Sequence, residues 1–194
     1  MNADFKIDGK VLETDRLILR AFEEDDLDDF YEYSSIPGVG EMAGWKHHEN
    51  KEESELILDY IIKGEETFAI CDKKTNKVIG NLAVKSLELE DNSTNFNNYK
   101  GRNIGAVLNK HYWNQGLMTE AINELIEYLF NDRKFDFLMA GFFDHNYASK
   151  RLQEKCGFRH YKKKIFKTRM GTKEPGVLNI LINPESILDI DSID

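Results

Sequence analysis

The sequence predicts an α+β fold: one layered domain with a mixed β-sheet of about seven strands and helices on both faces. Two observations carry this. Segments of period two and period 3.6 are interleaved along the whole chain, with no repeat or low-complexity stretch. Length and composition fit one core: 194 residues, 41% hydrophobic and 31% charged, with 22 aromatics and only 3 Pro.

Arg16 to Phe22 alternates as a strand, and Glu23-Glu24-Asp25-Asp26 supplies the acidic first turn of a helix reaching about Ser34. Ile36-Pro37-Gly38-Val39-Gly40 breaks that helix. A second runs from Asn50 to Lys63, with Leu56, Ile57, Tyr60 and Ile61 on one face. Residues 67–71 and 78–84 form a hairpin around the polar turn 72–77, and 91–99 is an Asn-rich surface loop. Gly101 to Asn109 is the next strand. The helix from Gly116 to Asn131 aligns Met118, Ala121, Ile122, Leu125, Ile126 and Leu129 opposite Glu120, Glu124 and Glu127. Phe135 to Phe143 is a strand, Asn146 to Lys155 a helix ended by Gly157, and Phe158 to Thr168 and Val177 to Ile182 the last two strands. Pro184 to Asp194 reads as a weakly ordered acidic tail.

Cys71 and Cys156 lie far apart with no metal-type spacing, which predicts a reduced, cytoplasmic protein without structural zinc. No apolar stretch approaches the roughly 18 residues of a membrane helix, and the first ten residues lack a signal-peptide core. The net charge of −9 disfavours bulk nucleic-acid binding and leans toward a cationic partner.

The chemistry is concentrated at residues 104–121, where a strand passes through a short loop into a helix N-terminus. Unpaired amides and the positive end of the helix dipole meet there, which suits a phosphate or pyrophosphate. Gly116 lets oxygens approach the main chain and Thr119 offers a hydroxyl, although the same residues also read as a plain helix start with a Thr cap. Neither common phosphate-loop pattern, GxxxxGK[ST] or GxGxxG, is present. In the later stretch 146–158, Asn146 caps a helix that ends in Gly157-Phe158.

Together and in this order the two segments resemble the GNAT superfamily of N-acetyltransferases, in the bacterial-type branch that acetylates N termini of ribosomal proteins. Trp113, Gly116, Thr119, Glu120 and Ala121 match W-x-x-G-x-x-T-E-A, and Asn146, Ser149, Leu152, Lys155, Gly157 and Phe158 match N-x-x-S-x-x-L-x-x-K-x-G-F. Leu12 to Arg20 is similar to the branch's usual opening. Trp113 and Met118 depart from the family's Gln/Arg and Gly/Ala, and neither change removes a backbone N–H.

The resemblance implies a domain over 11–184 with extensions 1–10 and 185–194, and a sheet splayed between strands 101–109 and 135–143. It implies acetyl-CoA as co-substrate, its pyrophosphate on the amides of Asn114, Gln115, Gly116, Leu117, Met118 and Thr119, and its pantetheine beside Ala106, Val107 and Leu108, with Asn146 and Ser149 as further contacts. No metal is implied. Direct attack by an amine would need an oxyanion donor, an N–H near Val107 or Leu108, and a proton for the thiolate. The family's usual Tyr acid is replaced by Gln153, which leaves Ser149 as the candidate acid, equally readable as a helix-interior hydroxyl. Candidate bases are Glu88 first, then Glu90, Glu41, His111 and His145. Trp45 and His47-His48 either shape the acceptor groove or fill the core and solvate.

The implied acceptor is the α-amine of a protein or peptide. A small amine (polyamine, amino acid or antibiotic) is the alternative, and a non-catalytic CoA-binding module is the rival from another class. A nucleotide-binding protein would need a Mg²⁺ site that no acidic strand end supplies. The resemblance leaves room for a homodimer.

Overall fold

In a computed structural model of the chain, residues 2–87, 96 and 98–188 are described. Strands β1 (Leu12–Glu13) and β2 (Leu17–Ala21) are followed by helices α1 (Leu27–Ser34) and α2 (Lys51–Gly64). Then come β3 (Thr67–Asp72), β4 (Lys77–Lys85), β5 (Gly101–Leu108), α3 (Leu117–Glu127), β6 (Phe137–Phe143), α4 (Tyr147–Lys155), β7 (Arg159–Lys167) and β8 (Lys173–Ile182). The sheet has eight strands in the order β1-β2-β3-β4-β5-β6-β8-β7. The strand beyond the expected seven is the two-residue β1, too short to show a period.

Every pairing between these strands is antiparallel except β5 with β6, which run parallel and pair only from Gly101–Phe137 to Asn103–Met139. Beyond that point they diverge, so the sheet opens as a V toward the C-terminal ends of both strands. The aromatic and aliphatic residues of β2 to β6 and the inner stripe of α3 form the main core, which includes the fully buried Leu19, Phe68, Ile70, Leu82, Leu125 and Leu138. A second cluster, around Phe22, Phe30, Tyr33 and Leu58, seats α1 and α2.

Boundaries differ from the sequence expectation where tertiary contacts extend an element or end it. Phe135 lies in the turn before β6, and β8 begins at Lys173, four residues earlier than expected. The helix expected to run to Asn131 leaves α geometry at Tyr128 and closes with a wide π turn to Asp132.

Residues 3–7 and 183–188, before β1 and after β8, are tied in. Ala3, Phe5 and Ile7 pack in the main core, and the Ala3 carbonyl accepts from Arg102 Nε at 2.6 Å. The expectation of a weakly ordered tail from Pro184 is corrected as far as Leu188: Asn183 Nδ2 donates to the Phe135 carbonyl, Ser186 Oγ to Asp136, and Leu188 is buried. Of the Asn-rich loop, Phe96 is fully buried with its ring centroid 4.7 Å from that of Phe137. Both cysteines are free and buried, and burial pushes each thiol up to about 11. Among the described residues, no helix is long and apolar enough to cross a membrane.

Candidate active site

The V exposes a strand edge. The Lys100 carbonyl accepts from the N–H groups of Asp136 and Phe137, whereas the Asn109 N–H donates to the Ile79 carbonyl on β4. By the period-two alternation of a strand, the even-numbered backbone groups of β5 face β6 and the odd-numbered ones face β4. In the open part of the V, beyond the Asn103–Met139 pair, the C=O of Ile104, the N–H and C=O of Ala106 and the N–H of Leu108 therefore face the gap. The Leu108 carbonyl accepts from Trp113 Nε1 at 2.8 Å. This sharpens one expectation: the Val107 N–H is turned toward β4, and the gap-facing candidate for an oxyanion donor is the Leu108 N–H.

The gap leads into the loop before α3. Asn109 Oδ1 accepts from the His111 N–H and caps a one-turn 3-10 helix, Lys110–Tyr112. Asn114 and Gly116 then take the left-handed conformation, at φ 61° and 77°, and α3 begins with no side-chain cap. Thr119 thus does not cap the helix, and the amides of Leu117, Met118 and Thr119 lie in its uncapped first turn, at the positive end of the dipole. Met118 and Leu117 turn their side chains into the core and present only backbone to the loop, so a Met is tolerated where the family pattern has Gly or Ala.

A second segment holds this loop in place. Glu120 accepts from Thr14 Oγ1, from the Arg16 N–H and from Arg16 Nε, and Arg16 Nη1 donates to the Gln115 carbonyl at 3.0 Å. The opening motif and the loop motif are thereby one assembly. In addition, the Arg16 guanidinium stands beside Gly116, within 4 Å of where a Cβ would be. These ties lower the Glu120 carboxyl against the upward push of its partial burial. Nothing in local spacing flags Arg16 as part of the site.

The opposite wall of the V carries a side-chain network. On β6 the odd-numbered groups face the gap, and the Gly141 carbonyl there accepts from Gln153 Nε2 at 3.1 Å. The same nitrogen donates to Ser149 Oγ at 3.1 Å, while Gln153 Oε1 accepts from Asn179 Nδ2. Gln153 and Asn179 are buried. Gln153, in the place of the family's Tyr, anchors Ser149 at the gap, engages an acceptor position of its hydroxyl and leaves the hydroxyl proton to be donated elsewhere. Asn146 Oδ1 caps α4 on the Ser149 N–H, and its Nδ2 donates to the Met42 carbonyl. Both ends of the Asn146 amide thus have protein partners, and these bonds join α4 to the loop between α1 and α2.

That loop crosses the mouth of the V. Its 3-10 turn Glu41–Ala43 comes within 8 Å of β5, Cα to Cα, and the Gly44 carbonyl accepts from the Arg169 N–H at 2.8 Å. Glu41 Oε1 lies 2.6 Å from His47 Nδ1, and Glu41 Oε2 accepts from the Gly38 N–H at 2.7 Å. Burial pushes the Glu41 carboxyl up, but hydrogen bonds from His47 and from backbone N–H groups outweigh it and bring it to about 2. The adjacent His48 differs: it is buried against Phe30 and Trp45, contacts Ser54 Oγ through Nδ1, and is lowered by desolvation. Trp45 closes over Gly40, where any Cβ would strike the indole.

Of the sequence-derived residues, the structure gathers Ala106, Leu108 and residues 114–119 along one gap and loop, with Asn146 and Ser149 across from them. Val107 is on the same strand but turned away at its backbone. Glu88 and Glu90 lie outside the described residues. His111 is exposed in the 3-10 turn Lys110–Tyr112 before α3, and His145 is exposed beside Phe143. Among the described residues, no group of acidic, His or Cys side chains is arranged to hold a metal ion.

The fold and site define a class: an α+β domain with a V-shaped sheet whose open strand edge runs into an uncapped helix N-terminus at a strand-to-helix junction. Residues 16–159 match the profile of the acetyltransferase (GNAT) domain, and the chain belongs to that family and is an acetyl-CoA-dependent N-acetyltransferase. It is similar to the uncharacterised N-acetyltransferase p20 of Bacillus licheniformis, 26% identical over 155 residues, covering 77% of this chain and 83% of that one. It superimposes on a GNAT-family acetyltransferase from Bacillus anthracis with a TM-score of 0.78 at 21% identity, covering 91% of this chain and 100% of that chain. The ribosomal L7/L12 α-N-protein acetyltransferase RimL, solved in complex with coenzyme A, gives 0.71 at 14% identity, over 89% of this chain and 98% of the other.

Proposed function

We propose that this enzyme moves the acetyl group of acetyl-CoA to the N-terminal α-amine of a peptide or protein by direct attack in a ternary complex. One observation carries the reading: the gap-facing edge of β5 runs straight into the uncapped N-terminus of α3. An extended pantetheine arm can add to that edge as a strand would, while the pyrophosphate meets the amides of 114–119 and the Arg16 guanidinium. RimL, with the same fold, holds coenzyme A and is named for an α-amine of a ribosomal protein.

The transfer forms an N–C bond and breaks the C–S bond. Charge gathers on the thioester oxygen, where the Leu108 N–H supplies a fixed donor. An ionised Glu41 only accepts hydrogen bonds, so its contact places the His47 proton on Nδ1 and, in the neutral ring, the lone pair on Nε2. His47 thus takes the amine proton, and Glu41 positions it. The departing CoA thiolate, whose conjugate acid has a pKa of about 8.5, accepts a hydrogen bond from the Ser149 hydroxyl, held by Gln153; Ser149 passes a proton to the sulfur as it takes one from solvent, and His47 returns the amine proton to solvent.

A thiol-reactive dye reporting CoA release, with acetyl-CoA and a panel of short peptides beside spermidine and kanamycin, tests the reading. Turnover of peptides above both polycations, with the product mass shifted at the N-terminal residue, is the expected result. Turnover of the polycations alone would move the acceptor to small amines. Ser149→Ala is expected to lower kcat by about 100-fold, the low end of general acid catalysis, with acetyl-CoA affinity unchanged; an unchanged kcat would remove Ser149 from the mechanism.

A further inference from the structure

The charge average of this protein hides one segment. Residues 159–173, which span β7, the turn and the start of β8, carry seven of the 26 Lys and Arg and no Asp or Glu, leaving 19 cations against 35 acids elsewhere. Among the described residues, Arg159, Lys162, Lys163, Lys167, Arg169 and Lys173 make no ion pair, whereas Lys and Arg elsewhere in the chain commonly do. Among the described residues β7 is the last strand of the sheet, and no strand pairs with its outer backbone edge. Its nine residues offer about 30 Å of extended chain.

The location gives the charge a use. Gly176 of β8 pairs with Phe143, at the open end of β6, and with Lys164 on β7. The hairpin continues past that point to the Lys167–Lys173 pair, and its turn docks on the loop at the mouth of the V through Arg169 N–H and the Gly44 carbonyl. A chain whose first residue sits in the V would leave past a cationic strand. Exposed Ile165 and Met170 add apolar contact along it.

We propose that the β7–β8 hairpin is a docking strip for an acidic polypeptide segment, downstream of the N terminus being acetylated. This rests on the protein or peptide acceptor proposed above and narrows it to substrates rich in Asp and Glu beyond their first residues. A nucleic acid is the poorer occupant, since the strip is one strand long and the rest of the surface is strongly acidic. The open backbone edge suits an extended peptide, with the cations steering it by long-range attraction. Lysines on an edge strand also blunt pairing with other chains, and the experiment separates that protective role from recognition.

Three synthetic peptides of about 12 residues are used, identical over the first five positions and ending in acidic, neutral or basic residues. At low salt the acidic peptide is expected to show a KM at least tenfold below that of the neutral one, and the gap is expected to close as NaCl is raised. Lys162→Glu/Lys163→Glu/Lys167→Glu is expected to abolish that preference while leaving the acetyl-CoA KM and the kcat for the neutral peptide unchanged. The triple Gln variant, which keeps edge polarity, is expected to fall between.

Equal KM values for the three peptides, or a preference for the basic one, would overturn the proposal while leaving the acetyltransferase reading intact. A triple variant that merely aggregates, with the acidic preference intact in its soluble fraction, would do the same. If no peptide is turned over, fluorescence anisotropy of the labelled acidic peptide on the CoA-loaded enzyme still decides. Binding lost in the triple variant supports the strip and sinks only the proposed acceptor chemistry; no binding, or tighter binding of a single-stranded RNA oligomer, overturns the strip.

Discussion

The two sides of the V are built on different principles. The side proposed for the cofactor, from β5 to the first turn of α3, is made of backbone: strand amides facing the gap, two left-handed residues and an uncapped helix end. The side proposed for the acceptor is made of side chains brought from separate segments: Glu41 and His47 from the loop after α1, Ser149 and Gln153 from α4, Asn179 from β8. A backbone site tolerates exchange of most side chains, and Trp113 and Met118 in unusual places leave its amides in position. A side-chain site fails or changes specificity with one substitution. The cofactor side should therefore respond to backbone changes and the acceptor side to chemical ones.

The largest expected effect tests the acceptor side. His47→Gln removes the basic ring nitrogen, and kcat for a peptide acceptor is expected to fall about 100-fold, the low end of general base catalysis, with the acetyl-CoA dissociation constant unchanged. If kcat stays within about twofold of wild type, the pair Glu41–His47 only braces the loop, and a water relay carries the proton.

A smaller effect is expected on the cofactor side. Gly116 sits at φ 77°, and a Cβ there meets nothing in the protein closer than Arg16 Nη2 at 3.6 Å. Gly116→Val therefore leaves the core intact but strains the turn by about 1–2 kcal/mol and pushes a branched side chain to where phosphate oxygens would approach. Calorimetry is expected to show acetyl-CoA affinity lowered at least tenfold with the melting temperature changed by only a few degrees. An unaltered affinity would place the pyrophosphate elsewhere.

The same contrast explains what could be read from the sequence. The alternating segments gave seven strands and four helices in the right order, because burial on a sheet face imposes period two and an inner helix stripe imposes 3.6. The loop at 113–121 was visible because its requirements are local. The Glu41–His47 contact was not, since neither residue has a periodic or capping signature and only the fold brings the turn over β5. Asn146 was singled out for the ligand, yet both its amide groups are engaged by Ser149 and Met42; motif matching identifies the residue without revealing its partners. The chain's negative total suggested a cationic partner, and the cluster of cations on β7 points the other way beside the site. A total charge carries no positional information.

The acceptor loop also supplies the mildest prediction, one of order rather than rate. The Glu41 carboxyl is brought to about 2 by its hydrogen bonds, below an ordinary carboxylate near 4.5. A group whose folded value is depressed stabilises its surroundings above the unfolded value, and the contribution fades as pH falls from about 4.5 toward 2. Trp45 lies in the same loop, 5.1 Å from His48 between ring centroids, so its emission reports the loop's packing. In a Trp113→Phe background, emission is expected to shift to the red over that acid range before the far-UV signal is lost, and Glu41→Gln is expected to show the shifted spectrum already at neutral pH. A wild-type spectrum in Glu41→Gln would mean that Trp45 and Gly40 hold the loop unaided, and the carboxylate would then be left with the orientation of His47 alone.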